Sequence, residues 1–133
     1  MNHVSNAVDH ITVTPMTPTI GAEIGNIDLS QPLTEAMRDR LYRALLDWKV
    51  IFFRDQDITR DQHLAFAANF GALEAHPIAQ RHIERPEILH ITHDADHPGS
   101  ENAWHSDVTW LKEPPLGSVL RVTEAPSVGG DTL

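Results

Sequence analysis

The sequence predicts an α+β fold that is mostly β, and two observations carry that reading. Helical periodicity with cap residues occurs in only two places, both in the first half of the chain. Elsewhere, runs of β-branched and aromatic residues are bounded by Gly and Pro. The 133 residues amount to one domain of ordinary size or part of a larger one, domains commonly running to about 100–200 residues.

The first thirty residues hold two extended stretches, Ile11–Met16 and Ala22–Leu29, broken by Pro15, Pro18, Gly21 and Gly25. They read as a small hairpin or edge pair. Thr34 can cap a helix that runs to about Trp48, because Met37, Leu41, Leu45 and Trp48 recur on one face. Lys49–Arg54, KVIFFR, is apolar at four successive positions. That is the composition of a central strand covered on both sides.

Thr59 with Gln62 three residues on fits a reciprocal capping box and starts a second helix over about 60–70, with Gly71 after Phe70 as its stop. Beyond His76-Pro77, Glu87–His93 is a candidate strand and DADHPGSEN at 94–102 a turn-rich loop. Ala103–Trp110 reads as extended, Pro114-Pro115 breaks the chain, and Gly117–Ala125 reads as another strand before the turn at Gly129-Gly130. No repeat or linker divides the chain.

Composition narrows the function. Ten Lys and Arg against nineteen Asp and Glu leave a net charge of −9, which argues against a nucleic-acid partner. Apolar runs such as Val50–Phe53 are far below the roughly 20 residues that span a bilayer, so no membrane association is expected. The N-terminus lacks a secretory pattern, and a cytoplasmic location is the default expectation. With no cysteine, any metal must be held by His, Asp or Glu. Nine histidines are many for a chain of this length, and they are scattered rather than gathered in a tract.

The segment WHSDVTW, Trp104–Trp110, is the strongest site candidate. In an extended chain His105 and Asp107 project from one face together with Thr109, while Trp104, Ser106, Val108 and Trp110 take the other. An imidazole and a carboxylate suit a divalent ion, and a third ligand would complete a facial triad with three adjacent positions open. Spacing alone is weak, since the nine His and eleven Asp predict about 0.7 His-x-Asp pairs by chance and one occurs. The bland alternative is a strand histidine hydrogen-bonded to a neighbouring carboxylate. His82-Ile83-Glu84 repeats the spacing with Glu, in a polar stretch without apolar walls.

The flanking residues add to this. WHSDVTW, Pro114-Pro115 and Glu124–Leu133, EAPSVGGDTL, follow Gly21-Ala22-Glu23-Ile24, Phe52-Phe53-Arg54-Asp55-Gln56, Phe70-Gly71 and His76-Pro77. Together they resemble the taurine dioxygenase type of Fe(II)/2-oxoglutarate-dependent dioxygenase, over nearly the whole chain. The resemblance implies a double-stranded β-helix, or jelly-roll, with flanking N-terminal helices, here incomplete. Residues 1–133 would then be the N-terminal portion of a single dioxygenase domain, with the second iron-binding histidine and the anion-clamping arginines beyond residue 133.

The resemblance further implies Fe(II), 2-oxoglutarate and O2 as cofactor and cosubstrates, with a small anionic organosulfur compound as substrate. It makes His105 and Asp107 iron ligands. Thr132 would hydrogen-bond the cosubstrate carboxylate, with the Ser106 backbone beside it. His76 would contact the substrate's anionic group, and the amide of Val108 would face that group as well. Where taurine-specific relatives have a tyrosine and an asparagine reaching the substrate amine, this chain has Ala79 and Glu101. Glu101 could pair with an ammonium or repel a second anion, with Asn102 next to it. Ala79 suits relatives that oxidise alkyl sulfate esters or longer sulfonates.

Without the family, His76 reads equally as a solvated loop histidine and Thr132 as an ordinary strand residue. Trp104 and Trp110 read as core packing, Arg54 and Arg121 as solvated or salt-bridged positions, and His82, His90, His93 and His97 as surface or loop residues. A homo-oligomer is left open for the full-length protein. The isolated chain is expected to be inactive and poorly soluble, with strand edges uncovered. The rival readings are a noncatalytic His-rich metal-binding or structural domain and a zinc hydrolase.

Overall fold

The computed structural model describes residues 10–75, 85–94, 96 and 103–129. The chain divides into two compact units, Met1–Pro98 and Gly99–Leu133.

In the first unit the elements run β1 (Thr12–Pro15), β2 (Ala22–Gly25), α1 (Glu35–Trp48), β3 (Ile51–Phe53) and α2 (Arg60–Ala67). β1 and β2 form the expected antiparallel pair, in register from Thr12 opposite Gly25 to Pro15 opposite Ala22. Gly21 lets the chain turn back with φ +85°, in the left-handed region open to a residue without a Cβ. The connection closes where the Met16 N–H donates to the Gly21 carbonyl at 2.9 Å.

α1 begins where Thr34 was expected to cap it, the hydroxyl accepting the Met37 N–H at 3.2 Å. Leu41 and Ala44 are buried and Met37 packs on the core from the same face. The helix stops at Lys49, whose φ is +66° and whose N–H still donates to the Leu45 carbonyl at 2.8 Å. The chain then returns as β3, parallel to β2, with Ala22 opposite Ile51 and Ile24 opposite Phe53.

The sheet order β1-β2-β3 corrects one expectation: β2 is central, and β3 pairs with β2 alone among the described residues. A run of apolar residues reports cover on the faces of a strand, not neighbours along its edges. Ile51 and Phe53 pack on the core, while Phe52 is exposed on the other face. The Arg54 guanidinium lies over the Phe52 ring, 5.6 Å from its centroid, and Nε pairs with Glu23 at 3.2 Å. Arg54 is thus salt-bridged, one of the two roles expected for it.

The capping box on α2 is formed. The Thr59 hydroxyl accepts the Gln62 N–H at 3.2 Å, and Gln62 Oε1 accepts the Thr59 N–H at 2.7 Å. The helix ends at Ala67 rather than near residue 70, because the last turn tightens: Asn69 and Phe70 donate to the Phe66 and Ala67 carbonyls, three residues back. Asn69 Nδ2 takes the Ala65 carbonyl at 2.8 Å as well. Gly71 therefore follows the helix at a distance and does not cap it.

The core gathers Ile11, Ile24, Leu29, Leu41, Ala44, Ile58 and Phe66. Phe66 meets Phe53 and Phe70 edge to face, at centroid distances of 5.3 and 5.4 Å. Arg40 joins helix to strand, its Nη2 donating to the Ile11 carbonyl at 2.8 Å. Arg85 clamps the segment that follows residue 84 onto α2 through Asp61, at 2.7 Å.

Two expected strands do not form. Glu87–His93 and Gly117–Ala125 are irregular, and Leu89, Ile91, Leu120 and Val122 are exposed. β-rich composition stabilises a strand only through neighbours on a pleated surface. Among the described residues, helices of fourteen and eight residues therefore outweigh strands of four, four and three. What the described residues form is a small mixed sheet with two helices. No helix among the described residues is long and apolar enough to cross a membrane.

Candidate metal centre

The second unit carries His105 and Asp107. The segment leaves Ala103 without regular structure and turns over residues 107–110, so the expected strand over Ala103–Trp110 does not form. The turn is tied by the Leu111 N–H on the Val108 carbonyl at 3.3 Å and by the Thr109 hydroxyl on the Ser106 carbonyl at 3.4 Å. Trp104 and Trp110, expected in a core, are 85% and 63% exposed in this chain. Two short apolar flanks do not make a core without further chain against them.

The two side chains nevertheless approach one another. His105 Nε2 lies 3.2 Å from Asp107 Oδ1, and both side chains are more than half exposed. His105 Nδ1 lies 2.8 Å from the Ala103 carbonyl. A carbonyl only accepts, so Nδ1 carries the proton in this contact and the ring is oriented with Nε2 toward the carboxylate. A backbone carbonyl holding the far nitrogen is a common support for a metal-binding histidine. Side-chain types could not have revealed it, because the acceptor belongs to the main chain.

The donor set fits a divalent ion. Two neighbouring ligands at about 2.1 Å from an octahedral metal stand about 3 Å apart, close to the observed 3.2 Å. Two donors are all that this segment brings together, and no group of three or more His, Asp or Glu forms among the described residues. Ser106 is exposed beside the pair and Val108 is half-buried. His90 and His93 are exposed, as expected of surface positions. His76, Ala79, His82, Glu84, His97, Glu101, Asn102 and Thr132 lie outside the described residues.

Residues 12–133 match the family described as taurine catabolism dioxygenase TauD, TfdA. The chain belongs to that family. An alpha-ketoglutarate-dependent sulfate ester dioxygenase of Pseudomonas putida is 37% identical over 124 residues, 92% of this chain and 40% of that protein. An alkylsulfatase of Acinetobacter baylyi is 34% identical over 130 residues, 97% of this chain and 40% of that protein. The chain thus spans 40% of the length of these two TauD/TfdA relatives.

A solved structure from Burkholderia xenovorans, provisionally described as an alpha-ketoglutarate-dependent taurine dioxygenase, superposes with a TM-score of 0.53 at 42% identity. That superposition covers 57% of this chain and 28% of the other. The small mixed sheet and helices are therefore a TauD/TfdA substructure.

Proposed function

We propose that residues 1–133 form the N-terminal portion of a single dioxygenase domain. The full-length protein would hydroxylate a small alkyl sulfate ester or sulfonate at the carbon next to the heteroatom, using Fe(II), 2-oxoglutarate and O2. The observation that carries this reading is the approach of His105 Nε2 and Asp107 Oδ1 to 3.2 Å in a chain of the TauD/TfdA family. Sulfate esters are favoured by the names of the Pseudomonas and Acinetobacter relatives, and by Ala79 where taurine-specific relatives place a tyrosine.

His105 and Asp107 would supply two of three iron ligands, the third coming from sequence outside this chain. Bound iron would supply oxygen activation coupled to oxidation of 2-oxoglutarate to succinate and CO2. With iron bound, the Ala103 carbonyl would hold the His105 proton on Nδ1 and leave Nε2 to ligate. Thr132 and the Ser106 backbone would seat the cosubstrate carboxylate. His76 and the Val108 amide would hold the substrate anion at a set distance, and Glu101 would select among substrates by charge. Hydroxylation leaves one carbon bearing both a hydroxyl and the sulfate or sulfonate. That product loses sulfate or sulfite and becomes an aldehyde. The isolated 133 residues lack the third ligand and would not turn over.

The test is anaerobic addition of Fe(II) and 2-oxoglutarate to the full-length protein, followed by admission of O2 and assay of succinate and sulfate release from an alkyl sulfate. A visible metal-to-ligand charge-transfer band is expected, and it should vanish when both His105 and Asp107 are changed to alanine. A folded full-length protein that binds iron without the band would favour a noncatalytic metal-binding protein.

A further inference from the structure

We infer that Thr109 is a positioning residue for the cosubstrate: its hydroxyl occupies the Ser106 carbonyl, so that the backbone at Ser106 meets a carboxylate with its N–H alone. The inference rests on the dioxygenase reading above and deepens it by naming the group that makes this stretch of backbone fit an anion.

Each residue other than proline carries one main-chain donor and one acceptor. An ionised carboxylate only accepts hydrogen bonds, so an N–H attracts it and a bare carbonyl repels it. A stretch of main chain seats anions when its carbonyls are already bonded and its N–H groups are not. The turn after His105 meets that condition at two positions. The Ser106 carbonyl accepts the Thr109 hydroxyl at 3.4 Å, and the Val108 carbonyl accepts the Leu111 N–H at 3.3 Å. The N–H groups of Ser106 and Val108 make no hydrogen bond among the described residues. These are the two residues whose backbones are proposed to face the cosubstrate carboxylate and the substrate anion. Acceptors are consumed and donors kept at the same places.

The two bonds differ in kind. Leu111 donates from the main chain, whatever its side chain. Thr109 donates from its side chain, reaching three residues back as Ser and Thr hydroxyls do, so a change of residue type removes the bond. Thr109 and Ser106 are both exposed and stand apart from the core. Loss of the hydroxyl therefore leaves the packing of the chain as it is.

The experiment uses the full-length protein loaded with Mn(II), a redox-silent probe, and titrated with 2-oxoglutarate, with the heat of binding giving Kd. Thr109→Val keeps the side-chain shape without the donor and should weaken 2-oxoglutarate binding by about three- to tenfold, the range of one hydrogen bond. Thr109→Ser keeps the donor and should bind within about twofold of the parent. Affinity for Mn(II) alone, read by electron paramagnetic resonance, should stay within about twofold in both variants, because neither ligand is touched.

Three results overturn the inference. The valine variant binds 2-oxoglutarate as tightly as the parent; the serine variant loses as much as the valine variant; or Mn(II) affinity falls by as much as 2-oxoglutarate affinity, which puts the effect at the metal ligands. The two readings fail separately. A parent that binds Mn(II) but not 2-oxoglutarate sinks the dioxygenase reading together with this one. A parent that binds both, matched by the valine variant, sinks this one alone.

Discussion

Gln56 fastens Leu29 from across the chain: its side-chain oxygen accepts the Leu29 N–H at 2.9 Å. The amide nitrogen of the same side chain donates to the Ile27 carbonyl at 3.2 Å and to the Arg54 carbonyl at 2.9 Å. One residue thereby joins the loop leaving β2 to the end of β3, holding together two parts of the backbone that no ladder connects. Gln56→Glu keeps the acceptor for Leu29 but removes both donors and sets a carboxylate against two carbonyls. A loss of about 1–3 kcal/mol is expected, read from the urea midpoint of the full-length protein. An unchanged midpoint would show that water replaces these bonds without cost.

The capping box of α2 reaches further than its own helix, because Gln62 Nε2 also donates to the Ser30 carbonyl at 3.2 Å. Thr59→Ala should cost about 1 kcal/mol, the usual value of an N-cap hydroxyl, whereas Thr59→Ser should be nearly neutral. Gln62→Ala should cost at least as much as Thr59→Ala, since it severs the helix start and the tie to Ser30 together. Thermal unfolding of the three variants gives the order, and a Gln62→Ala variant as stable as the parent would refute it.

These local features are also the ones legible in the sequence. Thr34, Thr59 and Gln62 announce helix starts through chemistry that acts over three residues, so a linear reading finds them. The end of α2 was less legible, because Asn69 and Phe70 tighten the last turn before Gly71 is reached. The place of β3 in the sheet was not legible at all. Phe52 and Phe53 look alike in sequence, and only the pairing of β3 with β2 leaves one outside and one on the core. At the site, His105 and Asp107 were visible as a spacing. The positive φ of Val108 and the carbonyl of Ala103 were not, since neither is announced by a residue type.

Asp28 gives a pH-dependent prediction. Hydrogen bonds from the Ser30 side chain and then from the Ser30 backbone, the latter at 2.9 Å, hold its carboxyl below the ordinary aspartate value of 3.8, with Gln31 adding a smaller contribution. A folded value below the unfolded one means that the ionised form favours the fold. That stability is fully present above the unfolded value and is lost as pH falls through the folded one. Asp28→Asn keeps an acceptor for Ser30 but no charge. The parent should therefore melt above the variant near neutral pH, and the gap should close as the pH drops below 3.8. A gap that is constant across that range would show that charge plays no part in the turn.

Phe66 is the residue on which the packing of α2 depends most. It is 6% exposed and touches Phe53 of β3 and Phe70 beyond the helix end, both edge to face. Phe66→Ala removes a buried ring and should cost about 3–5 kcal/mol. Phe66→Leu, which keeps most of the apolar volume, should cost much less. The edge-to-face contact can be separated from burial by a double-mutant cycle with Phe53→Leu, for which a coupling of about 0.5–1.5 kcal/mol is expected. Strict additivity of the two leucine variants in urea unfolding would mean that ring geometry contributes nothing, and that area removed from water alone holds α2 against the sheet.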